Sequence, residues 1–238
     1  MKRIVGASLL AIILAALCIQ GARWQFDRHE VRHAKNDLIR ANIVKPAISE
    51  NDLALQKTDE VAWRTISITG RFIPDTEILL RNRYHEGQYG FGVITLFQSS
   101  SNKKYWVDRG WVMAGKDALT PPKVSPVNSD LITIEARVRA EKLESQISGT
   151  VFAVPGLDGN SQLARWNNEK SIITEPFYFD LIEASKSEFI PEVPASLPEL
   201  SDGPHLAYSV QWVLFAGLVL FGLYLVVREE RKAQEEKL

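Results

Sequence analysis

The sequence predicts a membrane-anchored α+β protein, with an apolar helix at each end and a mainly antiparallel, barrel-like β domain between them. Two observations carry this reading. Residues 4–22 and 206–227 form apolar runs without a charged side chain, each of roughly the 20 positions a helix needs to cross a bilayer core. Between them, short alternating segments are separated by Gly, Pro, Ser and Asn turns, with no helical period among them.

The C-terminal run is the plainer of the two. From Leu206 to Val227 its backbone can satisfy its own hydrogen bonds, as lipid requires. Tyr208 and Trp212 stand near its start, where amphipathic rings prefer the headgroup level. Arg228 and the charged tail 228–238 end it. The N-terminal run follows Met1-Lys2-Arg3, and a positive start before an apolar stretch also describes a signal peptide. Ala15-Ala16-Leu17-Cys18 and Gln20-Gly21-Ala22 both fit a small-x-small cleavage site poorly, and Leu17 stands where lipoprotein acylation at Cys18 needs a small residue. The run therefore reads as an uncleaved anchor. Lys2 and Arg3 before the first helix, and Arg228, Arg231 and Lys232 after the second, place both ends in the cytoplasm. Residues 23–205 then form one extracytoplasmic domain between a cytoplasmic start, 1–3, and the cytoplasmic tail.

The chain has 238 residues and a formal net charge of −1, which argues against bulk electrostatic capture of nucleic acid. Its single cysteine, Cys18, lies in the first apolar run, so the exported domain has neither disulfide nor thiol chemistry. At roughly 180 residues that domain can bury a core without staples.

In chain order, residues 24–41 continue the first helix beyond the membrane. Trp24, Val31, Ala34 and Leu38 recur near helical spacing among charged neighbours, and Pro46 marks the limit. Residues 51–58 give no strong signal. Ala62, Arg64, Ile66 and Ile68 then alternate with Trp63, Thr65, Ser67 and Thr69 as a strand ending at Gly70-Arg71-Phe72. Further strands are expected over 76–83, 91–97, 105–112 and 132–139, the last with Ile132, Ile134, Ala136 and Val138 on one face. Residues 151–154 and 177–181 are two more, with Trp166 in a less regular stretch. Pro191, Pro194 and Pro198 form a linker back to the membrane.

Catalytic strings are few. His29-Glu30-Val31-Arg32-His33 is a literal H-E-x-x-H on a predicted helix, the spacing with which zinc peptidases place two imidazoles and a water-activating glutamate on one face. Arg28 and Arg32 put positive charge beside the would-be metal, and no third ligand follows at a usable spacing. There is no Walker-type loop, no G-x-G-x-x-G opening a helix and no nucleophile elbow. Carboxylates are scattered without a close pair in sequence. Asp108-Arg109 reads as a buried ion pair or a solvated strand dipeptide. His205, in front of the second apolar run, is a possible metal or haem ligand.

Several strings follow one another along the chain: Trp24-Gln25-x-x-Arg28, Gly70-Arg71-Phe72, Leu79-Leu80-x-Asn82-Arg83, the glycines at 87, 90 and 92, Val107-Asp108-Arg109-Gly110-Trp111-Val112, and His205-Leu206-x-Tyr208 with Trp212. In these the chain resembles the surfeit locus protein 1 family, whose members assist assembly of haem-copper cytochrome c oxidase. The likeness spans nearly the whole chain. It departs from the family pattern where Lys35 and Leu38-Ile39 arrive some three residues late, where Thr95-Leu96 replaces threonine-proline, and where Pro204 replaces an asparagine. The extra turn holds the H-E-x-x-H string.

The resemblance implies a non-enzymatic role in supplying or holding haem a for the oxidase catalytic subunit, with haem a synthase a possible second partner. His205 carries over as the candidate ligand of the haem iron, through an imidazole lone pair. Tyr208, Trp212, Trp24 and Arg28 would supply the wall and a propionate counter-charge. The competing readings are a zinc peptidase built on His29, Glu30 and His33, and a cofactor-free scaffold that docks the oxidase through an aromatic strand such as Tyr105 to Trp111.

Overall fold

The computed structural model describes residues 2–115, 122–140, 172–190 and 193–235. The expected strand at 151–154 and Trp166 lie outside the described residues. The chain forms two compact units, one of Met1–Leu38 with Glu199–Leu238, the other of Ile39–Pro198.

The first unit is a pair of long helices. Helix α1 (Lys2–Ile43) runs unbroken for 42 residues, through both the apolar run and its expected charged continuation, because no proline or glycine pair interrupts the backbone hydrogen bonds. Its last turn belongs to the second unit. A second long helix spans His205–Glu235, 31 residues, and continues through the charged tail beyond Val227. Both are long and apolar enough to cross a membrane, with a mean hydropathy of 2.3 over their most apolar windows. They meet through small groups, as helices do in lipid. The Ser209 hydroxyl donates to the Ala22 carbonyl at 2.9 Å, and the Trp212 indole lies so close to Gly21 that a Cβ there would stand 3.1 Å from it.

The second unit is a β barrel with short helices on its outside. Ser49 caps helix α2 (Glu50–Leu55), its hydroxyl accepting from the Asp52 amide while the Asp52 carboxylate accepts from the Ser49 amide. Helix α3 (Thr58–Val61) follows. Trp63, at φ +65°, turns the chain, so the first strand starts at Thr65 and not at Ala62 as the alternation suggests.

Six strands follow: β1 (Thr65–Phe72), β2 (Ile78–His85), β3 (Gln88–Ser99), β4 (Lys104–Met113), β5 (Ile132–Arg139) and β6 (Tyr178–Ala184). The sheet order is β1-β5-β6-β4-β3-β2, and an added β1–β3 pairing closes five of the strands into a ring. All ladders are antiparallel except β4–β6, which is parallel. This is the strand plan of a small Greek-key barrel of OB type, with β2 added as a hairpin on β3.

Ile66, Ile68 and Phe72 of β1, with Ile132, Ile134, Ala136 and Val138 of β5, point inward as their period-two spacing requires. They meet Phe97, Tyr105, Val107, Phe179 and Leu181 in the core. Strand β3 is buried on both faces over most of its length. Its outer face joins Leu80, Trp106 and Tyr178 in a second apolar group through Ile94 and Leu96. Tyr105, Trp106 and Trp111 are all buried, so the Tyr105–Trp111 strand belongs to the core and offers no aromatic docking face.

Candidate functional site

The site expected at the start of the second long helix, hereafter α4, is built from the seam between α1 and α4. Gly21, Gln25 and Arg32 recur at i, i+4 and i+11, which keeps them on one side of a helix of 3.6 residues per turn. Gln25 and Arg32 meet residues at or just before the start of α4, and Gly21 meets Trp212 two turns into it. The decisive contact is between Gln25 and His205: His205 Nδ1 lies 2.9 Å from Gln25 Oε1. An amide oxygen only accepts, so this contact requires the proton on Nδ1 and leaves the lone pair on Nε2. Nε2 has no hydrogen-bond partner among the described residues, and the ring is half-buried. That is how a ligating imidazole is commonly held, with its second nitrogen donating to an oxygen that fixes ring and tautomer. His205, so held, could ligate a haem iron.

The segment before His205 is fastened to the same helix. Arg32 Nε donates to the Ser201 carbonyl at 2.6 Å, and Asn36 Nδ2 donates to Asp202 Oδ1 at 2.8 Å. Gly203 adopts φ +68° with Arg32 beside it, a conformation in which a side chain would be strained. His33 reaches Asp202 through Nδ1 at 2.8 Å and Asp37 through Nε2 at 3.2 Å. The Asp202 hydrogen bond, helped by the charges of Asp37 and Asp202, raises the His33 pKa above its ordinary value.

Those contacts bear on the H-E-x-x-H string. The His29 and His33 rings stack at 5.7 Å, but His33 turns both nitrogens to carboxylates, which in the imidazolium leaves no lone pair for a metal. Among the described residues no group of three or more His, Cys, Asp or Glu side chains is placed to hold a metal ion.

Of the five expected cofactor residues, the structure puts His205 and Trp212 on the seam. Trp212 lies on the same side of α4 two turns further along, edge-to-face with Phe215. Trp24 and Arg28 pair with each other on a flank of α1, the guanidinium 5.6 Å from the indole centroid. Tyr208 is exposed. Gln25 is the seam residue that reading the sequence missed: it stands inside the Trp24-Gln25-x-x-Arg28 string, yet nothing in its spacing marks it as the partner of a residue 180 positions away.

The β unit holds a polar cluster that no sequence motif announces. Asp108 and Asp180 are register partners on the parallel strands β4 and β6, so folding makes the close carboxylate pair that the linear sequence lacks. Arg139 Nη1 donates to Asp180 Oδ2 at 3.0 Å, and its guanidinium lies 4.1 Å from the Trp63 ring centroid. The Gly110 amide donates to Asp108 Oδ1 at 2.9 Å. Burial, then the Asp180 charge, pushes the Asp108 carboxyl up to about 7. Burial raises Asp180 as well, against the pull of Arg139 and Arg137. Asp108 and Arg109 point to opposite faces of β4, so the dipeptide is not an ion pair, with Arg109 buried and Asp108 half-buried.

Comparison with known proteins places the chain. The SURF1 family pattern matches residues 12–217. The chain belongs to the SURF1 family, a family of cytochrome oxidase assembly factors. It is 28% identical over 240 residues to an uncharacterized SURF1-like protein of Mycobacterium tuberculosis, covering 97% of this chain and 86% of the relative. A SURF1-like protein of Rickettsia felis is 23% identical over 228 residues, covering 93% and 96%. One from Rickettsia bellii is 26% identical over 212 residues, covering 84% and 83%. The family match takes in Gln25 and His205 and part of each apolar helix.

Proposed function

We propose that this chain is a membrane-anchored, non-enzymatic assembly factor for haem-copper cytochrome c oxidase that binds haem a transiently and assists its insertion into the catalytic subunit. The observation that carries the haem reading is the Gln25–His205 contact, which presents an unpartnered Nε2 at the start of a membrane-length helix. His205 would hold the iron, whose Lewis acidity is satisfied by one more nitrogen. Trp212 on the seam and the exposed faces of Trp24 and Tyr208 would flank the macrocycle, and Arg28 would meet a propionate. A single neutral ligand suits a carrier, because release then breaks one coordinate bond.

The charge pattern supports an inner-membrane hairpin with both termini cytoplasmic and the β unit outside. Oxidase catalytic subunit and haem a synthase are the partners this placement brings within reach. The test is the haem a content of oxidase purified from cells lacking this chain and complemented with wild type or His205→Ala. Loss of haem a in the variant, with the variant protein present in the membrane, is expected. Full haem a content with His205→Ala would leave a docking scaffold in its place.

A further inference from the structure

We propose that the β unit carries a second binding site, at Arg109, for a small carboxylate with an apolar body. Arg109 is 1% exposed. Its Nε donates to the Phe189 carbonyl at 2.9 Å and its Nη2 to the Ser125 carbonyl at 3.2 Å. Nη1 is buried and has no hydrogen-bond acceptor among the described residues. Among the described residues the nearest carboxylate, Glu77, stands 4.0 Å from it, beyond hydrogen-bond reach. On another side the guanidinium lies 5.6 Å from the Phe72 ring centroid, which accepts no conventional hydrogen bond. A guanidinium stays charged in a protein even where burial lowers its pKa, as it does here. A buried charge with an unmade hydrogen bond is costly, and folds seldom retain one without a use.

Arg109 forms part of the wall of a cavity of about 440 Å³, within the size range of small-molecule sites. Ser125, the acceptor of Nη2, lines the same cavity, which places the guanidinium head at its wall. Lys123 also lines it, and the rest of the wall is mostly apolar, including Val93, Val112, Val124 and Ile190. With Glu77 4.0 Å from Nη1, Arg109 and Lys123 leave one net positive charge at the cavity, which favours an anion. Nη1, which lacks a hydrogen-bond acceptor among the described residues, and the exposed Lys123 ammonium match the two oxygens of a carboxylate, and the aliphatic wall selects a carbon chain behind it. This site stands on β-unit residues alone and is independent of the haem reading.

The test is calorimetric titration of hexanoate into the full chain in lipid nanodiscs, with empty nanodiscs subtracted and with hexanol, hexylamine and hexylphosphonate as companions. Saturable hexanoate binding with a dissociation constant on the order of 1 mM or tighter is expected, with hexanol and hexylamine at least about tenfold weaker. Ala114→Phe, which fills the cavity without touching a charge, should abolish it. Arg109→Met should do the same but risks the fold, so Lys123→Gln, at an exposed position, is the companion variant and should weaken binding by about threefold. Hexylphosphonate binding tighter than hexanoate would change the head group to a phosphate ester and overturn the carboxylate assignment. No saturable binding would mean that a buried water satisfies Nη1. Equal affinity for hexanol, or hexanoate binding unchanged in a folded Ala114→Phe, would likewise overturn the proposal.

Discussion

Gln25 and His205 are 180 residues apart in sequence and 2.9 Å apart in the fold, where the amide oxygen of one receives the Nδ1 proton of the other. If that contact sets the tautomer for a ligand, Gln25 is a positioning residue. Gln25→Leu should cut haem a retention by about tenfold without displacing the protein from the membrane. Gln25→Glu should keep retention and, by making the imidazole more basic, lower the haem reduction potential. Spectra and a potentiometric titration of the two variants read this out. Unchanged affinity and potential in both would show that the contact is only structural.

A second prediction concerns pH and the His33 clamp. The folded pKa of His33 is raised above its ordinary value by Asp202 and Asp37. The clamp is therefore fully formed below about pH 6.5 and is lost as pH rises through the folded pKa. Amide hydrogen exchange at Ser201, Asp202 and Gly203 should speed up across that window by more than the intrinsic pH effect. His33→Gln should remove the excess. Exchange that follows the intrinsic rate alone in wild type would contradict the assignment.

Asp108 carries the same sign as His33, against the usual direction for a carboxyl. A carboxyl raised to about 7 in the folded state binds a proton that the unfolded chain has already released, so stability falls as pH rises from about 4 to 7. Asp108→Asn keeps an oxygen for the Gly110 amide and carries no charge. The thermal midpoint of the β unit, followed in the full chain, should decline over that range in wild type and decline less steeply in the variant, where Asp180 alone still titrates. A flat wild-type profile would mean that the arginines Arg83 and Arg139 neutralise Asp108 more fully than its burial suggests.

The helix seam gives a packing prediction. A Cβ at Gly21 would already stand 3.1 Å from the Trp212 indole, so Gly21→Leu forces the helices apart or the indole off its rotamer. A loss of about 1–3 kcal/mol is expected, typical of overpacking, with weaker haem a retention alongside. Thermal unfolding in detergent micelles measures the first, and an unchanged midpoint would place the helix contact elsewhere.

Much of this architecture is legible in the chain, because each legible feature is local. The charge-free runs mark both long helices, and the alternation of Ile66, Ile68, Ile132 and Ile134 marks the barrel's inner face. The α2 helix was missed because its six residues are too few for a period and its capping box uses Asp52 where Glu or Gln is usual. Trp63 hid the start of β1, since nothing about a tryptophan announces a positive φ. The parallel β4–β6 ladder, and with it the Asp108–Asp180 pair, depends on which strands meet after folding. His205 was legible from its place before an apolar run, whereas Gln25 became meaningful only once α1 and α4 lay side by side. Arg109 stood in a visible string, but only the fold shows that one arm of its guanidinium lacks an acceptor among the described residues.

The most direct test of the account is an absorption spectrum of the detergent-purified full chain, wild type beside His205→Ala, from cells that synthesise haem a, with zinc measured on the same samples. A haem a spectrum near one equivalent in wild type that is lost in a folded His205→Ala protein is the predicted result. The same spectrum in both proteins, or zinc at one per chain without haem, would contradict it.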